Sequence, residues 1–167
     1  DRFLDAETTR QRAFLAELVR VPSDNPPGDC APHAARAKSL LEGLGLVVEA
    51  HAVPGSAARA VGMVGATNLI VRHHFGDGPV VALNAHGDVV PPGLGWRHDP
   101  YGAEIEDDPH GPAMYGRGAA VSKSDFATYT WALLALRKAA AEGAKIGGTV
   151  ELQVGATGVE KGMSGHG

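Results

Sequence analysis

The triplet His86-Gly87-Asp88 follows directly on the apolar run Val80-Val81-Ala82-Leu83. A neutral imidazole at a strand end is a good ligand for a divalent metal. A carboxylate two residues on can bind the other ring nitrogen, fixing the tautomer and raising the basicity of the ligating nitrogen. Taken alone, a His-x-Asp triplet is better explained by a hydrogen-bonded histidine that closes a strand. Further on, Gly116-Arg117-Gly118 leads into Ser122-Lys123-Ser124 and Asp125, and Glu160 and His166 stand near the end of the chain. Lys123-Ser124 behind a Gly-rich stretch has the outline of a phosphate-binding loop, but Ser122 occupies the position where that loop needs a glycine. His73 and His74 point to opposite faces of one strand and cannot share a metal. Cys30 has no activating partner nearby in sequence, and Ser122 and Ser164 lack a His–Asp pairing for nucleophilic catalysis.

These residues need elements to position them. Hydrophobic periodicity predicts a helix over 8–20 with Ala13, Phe14, Leu18 and Val19 on one face, ended by the Ser23-Asp24-Asn25-Pro26-Pro27-Gly28 turn. A second helix is predicted over 32–44, with Gly45 as its terminator, then a strand over 46–53 and a Gly-rich loop over 54–66. Strands are expected at 68–75 and 79–84, the latter read as covered on both faces because it is almost continuously apolar. Short strands at 103–106 and 113–115, a long helix over 122–141 and a strand at 149–154 complete the chain. The pattern predicts an α/β fold, a layered sandwich with a mixed central sheet flanked by helices. Ligands of such sheets gather at the carboxyl ends of strands, where His86 and Asp88 lie.

Composition narrows the function classes. With 15 Lys+Arg against 19 Asp+Glu and a formal charge of −4, the chain is a poor candidate for binding nucleic acid or an anionic membrane. No apolar stretch is long enough to cross a bilayer. A single cysteine excludes a disulfide framework and points to a reducing, cytoplasmic setting.

The order Val21-Pro22-Ser23-Asp24-Asn25-Pro26-Pro27-Gly28, Asn84-Ala85-His86-Gly87-Asp88, Gly95-Trp96-Arg97-His98-Asp99-Pro100-Tyr101 and Met114-Tyr115-Gly116-Arg117-Gly118 resembles the metal-dependent aminoacylase and carboxypeptidase family. That family includes acetylornithine deacetylase, succinyl-diaminopimelate desuccinylase and carboxypeptidase G. The resemblance implies a zinc-exopeptidase-like fold and a pair of zinc, cobalt or manganese ions hydrolysing an amide bond of an N-acyl amino acid or small peptide. It makes His86 a metal ligand, Asp88 its orienting partner, and Trp96, Pro100 and Tyr101 packing residues of the loop that walls the site. It also implies that residues 1–167 form an N-terminal catalytic segment without the family's lid and later catalytic segment, so an exposed sheet edge and self-association are expected.

Departures from the family pattern fall on the chemistry. Val121 stands where the resemblance requires an aspartate bridging the two ions. Asp125, one turn into the following helix, is either a substitute ligand or a first-turn carboxylate answering the helix dipole. A Glu-Glu pair is expected after the last strand, where the chain reads Gly158-Val159-Glu160-Lys161-Gly162. If Gly162 sets the register, Glu160 matches the metal-binding glutamate and Val159 replaces the general base; without a gap, neither position is acidic. The expectation is therefore an amide hydrolase with His86, Asp125 and Glu160 as candidate ligands and Asp88 and Glu160 as candidate catalytic residues. A non-catalytic derivative of the family is the alternative.

Overall fold

A computed structural model describes residues 2–109 and 111–155. Its elements run α1 (Arg2–Val19), α2 (Ala31–Gly43), β1 (Glu49–Ala52), α3 (Gly55–Ala60), β2 (Thr67–Gly76), β3 (Val80–His86), β4 (Glu104–Asp108), β5 (Gly111–Tyr115), α4 (Lys123–Ala141) and β6 (Gly148–Gly155). The main sheet has the order β1-β2-β6-β3. It is mixed, because β6 pairs antiparallel with β2 and parallel with β3. β4 and β5 form a separate antiparallel hairpin.

The core follows from period-two burial in the strands and helical stripes packed on them. Leu69 and Val71 of β2 lie opposite Val154 and Leu152 of β6, and all four are buried. With Ala85 of β3 they meet Phe14 and Leu18 of α1, Ala37 and Leu41 of α2, and Phe126, Trp131 and Leu133 of α4. Phe14 makes edge-to-face contacts with Phe126 at 5.5 Å and Trp131 at 5.3 Å between ring centroids, tying α1 to α4. The opposite sheet face is polar along the β2–β6 pair: Arg72 bonds Glu151 at 2.6 Å and also pairs with Glu49. Among the described residues, no helix is long and apolar enough to cross a membrane.

Several elements differ from the sequence expectation for identifiable reasons. α1 begins at Arg2 rather than at residue 8, because Phe3 and Leu4 also pack on the core and extend the apolar stripe by two turns. β1 is confined to 49–52: Gly45, at φ +74°, turns Leu46 into the core, and Val47 is exposed before pairing with β2 begins. The 54–66 stretch is not all loop, since α3 forms there and buries Ala58 against Cys30, Met63 and Ala66. β3 is not covered on both faces. Within the described residues it is an edge strand, with Val80 64% and Val81 49% exposed and only its Ala85 fully buried.

Candidate metal centre

β3 delivers His86 to the rim of the sheet. Its register against β6 pairs His86 with Gly155, and the Gly87 amide donates to the Gly155 carbonyl at 2.9 Å. The chain then turns against the proline-rich segment that follows α1. The Asn25 amide donates to the Val89 carbonyl at 2.8 Å, and the Val89 amide donates to the Ser23 carbonyl at 3.0 Å. Ser23 Oγ donates to the Gly87 carbonyl at 2.7 Å. The 23–28 turn and the 86–89 loop are thus one hydrogen-bonded unit, although about 60 residues of chain separate them.

Within that unit, His86 Nδ1 lies 3.0 Å from Asp88 Oδ1 and 3.0 Å from the Asp88 backbone oxygen. The second carboxylate oxygen of Asp88 accepts a hydrogen bond from Asn25 Nδ2 at 3.0 Å. Asp88 and Asn25 are buried while the His86 side chain is 31% exposed, so the carboxylate sits behind a ring whose outer edge meets solvent. The hydrogen bond to Asp88 raises the His86 pKa, against the opposing effect of burial, and the Asp125 charge adds to the rise. With Nδ1 committed to Asp88, Nε2 is the ring atom available to a metal, the arrangement in which a carboxylate orients a ligating histidine.

α4 approaches from the other side. The His86 backbone amide is 3.3 Å from Ser122 Oγ, which donates to Asp125 Oδ2 at 3.1 Å. The structure therefore brings Asp125 into the electrostatic neighbourhood of His86 through Ser122, while Val121 beside it is 66% exposed. Glu160, Val159 and His166 lie outside the described residues. Fitting a metal here succeeds at His86, whose orienting carboxylate is in place, and stops there. Among the described residues, His86 belongs to no group of three ligating side chains with mutually close donor atoms.

The burial of several residues beneath the centre was not visible in the sequence. Lys123 is 1% exposed, and its Nζ donates to the carbonyls of Leu18 at 2.9 Å and Val21 at 3.1 Å. Burial pushes its pKa down to about 8. A lysine in the first turn of a helix opposes the helix dipole, and that mismatch was the signal available in the sequence. His33 is 2% exposed, and its Nε2 has no hydrogen-bond partner among the described residues. It packs under Gly87, where an added Cβ would lie 2.8 Å from His33 Nδ1. Cys30 is also buried, and burial pushes its thiol up to about 12, so it is no nucleophile.

The Gly116-Arg117-Gly118 segment is anchored on both sides. Arg117 donates to the Pro92 carbonyl at 3.0 Å, and its guanidinium lies 5.2 Å from the centre of the Trp96 ring. Tyr101 donates its hydroxyl to Asp24 at 2.5 Å. The loop holding Trp96 and Tyr101 is thereby tied to the 23–28 turn and to Arg117. A Cβ on Gly116 would fall 2.5 Å from Val19 Cγ1 at the end of α1. Gly116→Ala is expected to destabilise the fold by about 1–3 kcal/mol through overpacking. Denaturant unfolding measures this, and a variant as stable as the parent chain would show that α1 moves aside freely.

An α/β fold with a His–Asp pair at the carboxyl end of a parallel-paired strand defines a class, and comparison with known proteins shows which family the chain is similar to. Residues 82–155 match Peptidase family M20/M25/M40. The recognition read from the motifs holds: the chain resembles the N-terminal part of this family's proteins. It is 35% identical over 163 residues to succinyl-diaminopimelate desuccinylase of Methylobacterium sp. (strain 4-46), a match covering 96% of this chain and 37% of that protein. The enzyme of the same name from Wolinella succinogenes is 38% identical over 120 residues, covering 72% of this chain and 28% of the relative. The chain thus spans well under half the length of either relative. Among solved structures, human carnosine dipeptidase 1 superposes with a TM-score of 0.67 at 20% identity, over 98% of this chain and 34% of that one. The M20 family metallo-carboxypeptidase Sso-CP2 from Sulfolobus solfataricus gives 0.63 at 20% identity, over 86% and 30%. These structural likenesses establish the fold.

Proposed function

We propose that residues 1–167 contribute the first part of a divalent-metal centre to an M20-type hydrolase that cleaves amide bonds of N-acyl amino acids or small peptides. The single observation that carries this reading is the chain Asn25–Asp88–His86, which presents an imidazole with Nδ1 already engaged at the carboxyl end of β3. In this reading His86 ligates through Nε2, Asp88 orients the ring and stabilises its charge, and Asn25 keeps the second oxygen of Asp88 from turning away. Asp125 and Glu160 are the further candidate ligands, with Glu160 the remaining candidate for acid–base work. Zinc, cobalt or manganese bound there would supply Lewis acidity and a water activated at neutral pH. Ser122 holds the Asp125 carboxylate close to the His86 strand end, where its negative charge favours a bound cation.

Val121 favours a second reading, a family derivative that binds metal weakly and does no chemistry. Its side chain cannot ligate, and its 66% exposure leaves room for a carboxylate at little folding cost. One experiment separates the two. Hydrolysis of N-acetyl and N-succinyl amino acids with added zinc, cobalt or manganese is measured for the parent chain, His86→Ala and Val121→Asp. The hydrolase reading predicts parental activity that drops by roughly 100-fold in His86→Ala. Activity that persisted in His86→Ala would overturn it. No parental activity, with a gain in metal affinity of roughly tenfold in Val121→Asp, would establish the derivative.

A further inference from the structure

The β4–β5 hairpin carries a second set of metal-ligating side chains that has no part in the His86 centre. His98 Nδ1 lies 3.0 Å from Glu104 Oε2, and His98 Nε2 lies 3.7 Å from Glu106 Oε2. Among the described residues this is the one group of three His, Cys, Asp or Glu side chains whose donor atoms all fall within 4.8 Å of one another. Glu104 and Glu106 alternate along β4, so both carboxylates project from the same face of the hairpin. The ring is held in place, since it stacks on Tyr115 of β5 at 4.3 Å between centroids with 27° between planes, and its side chain is only 14% exposed. A cavity of about 350 Å³ lined by Trp96, Arg97, His98, Glu106 and Tyr115 opens onto the group.

Without an ion, His98 has one contact of hydrogen-bond length, Nδ1 to Glu104, and a longer one, Nε2 to Glu106. Both are largely exposed on the carboxylate side, at 50% and 55%, where an ion pair contributes little. The same three groups suit a first-row divalent ion at Nε2: an imidazole whose Nδ1 is oriented by Glu104, a carboxylate oxygen from Glu106, and remaining positions open to water. The 3.7 Å spacing of His98 Nε2 and Glu106 Oε2 exceeds a hydrogen bond and is close to the separation of two ligands on one zinc ion.

We infer that His98, Glu104 and Glu106 form an auxiliary divalent-cation site, of zinc-type ligand chemistry, that clamps the 94–99 loop to the hairpin. The site is independent of the proposed function, because none of its ligands belongs to the His86 centre. Its exposed carboxylates and the neighbouring Arg97 cation make its affinity weaker than that of a closed structural site.

Zinc titration by calorimetry in a His86→Ala background tests it with the His86 centre disabled. The single variant is expected to bind one zinc ion at the hairpin. Adding Glu106→Gln, an exposed change that leaves packing intact, weakens that binding by roughly tenfold or more, and adding His98→Asn removes it. Zinc binding by His86→Ala that is unchanged by both additions, or no zinc binding by His86→Ala at all, overturns the site. Far-UV circular dichroism of each variant confirms that loss of binding is not loss of fold.

Discussion

Replacing His33 with leucine is expected to flatten the acid limb of this protein's stability curve. His33 is 2% exposed on α2, and burial is the main cause that pushes its pKa down to about 3; the Lys123 charge adds to the effect and Asp88 opposes it. In the unfolded chain the ring takes up its proton near the ordinary value of 6.5. Between pH 6.5 and about 3 the unfolded state therefore binds a proton that the folded state refuses. Stability falls as pH falls through that window, by about 1.4 kcal/mol per pH unit from this residue alone. Above pH 6.5 both states hold a neutral ring and the contribution is flat. Urea unfolding at pH 7 and pH 4.5 should show the parent chain losing about 3 kcal/mol more than His33→Leu. Equal losses would mean that the pocket under Gly87 opens and hydrates the ring on acidification.

The second large effect concerns Lys123, where opposing terms have to be weighed. Its depressed pKa of about 8 means that the buried ammonium costs about 3 kcal/mol at neutral pH relative to water, and any neutral replacement relieves this. Against that stand the carbonyls of Leu18 and Val21, which lose their donor at about 1–3 kcal/mol each. Lys123→Ala also empties the space of a fully buried four-carbon stem, costing about 2–5 kcal/mol more. The cavity decides the balance, and Lys123→Ala is expected to lose about 3 kcal/mol. Lys123→Met keeps the stem volume and is expected to stay within about 1–2 kcal/mol of the parent. A near-neutral alanine variant, measured by denaturant unfolding, would show that the stem does not fill the junction of α1 and α4.

The contrast between these residues shows what the sequence makes legible. Local periodicity placed α2, β2, β6 and α4 within one or two residues, because each pairs a strong apolar repeat with a terminator such as Gly45 or Gly76. It missed α3, whose small residues Gly55 to Ala60 carry almost no hydrophobic repeat and which is stabilised by one buried alanine against the Cys30 pocket. It overrated the burial of β3, because Val80 and Val81 look like core residues whichever side of a sheet they occupy. At the candidate site, the His86–Asp88 pair is visible because both partners lie in one triplet. Asn25, Ser23 and Lys123 act across 63, 64 and 105 residues, and no local pattern announces contacts of that range. His33 lies in the first turn of α2, where nothing in the neighbouring sequence marks it as buried. Its burial depends on Gly87, a distant residue with no side chain to fill the same space.

In the proposed function, His86 is held by Asp88 so that Nε2 is presented to a divalent metal. Long-range proton–nitrogen NMR of the histidine rings, recorded during zinc titration of the parent chain, examines that atom directly. His86 is expected to keep its proton on Nδ1, facing Asp88, while its Nε2 resonance moves to the position of a metal-bound nitrogen. In Asp88→Ala the same shift should require roughly 10–100-fold more zinc. A His86 Nε2 resonance that stayed in place while zinc bound elsewhere in the chain would contradict this reading.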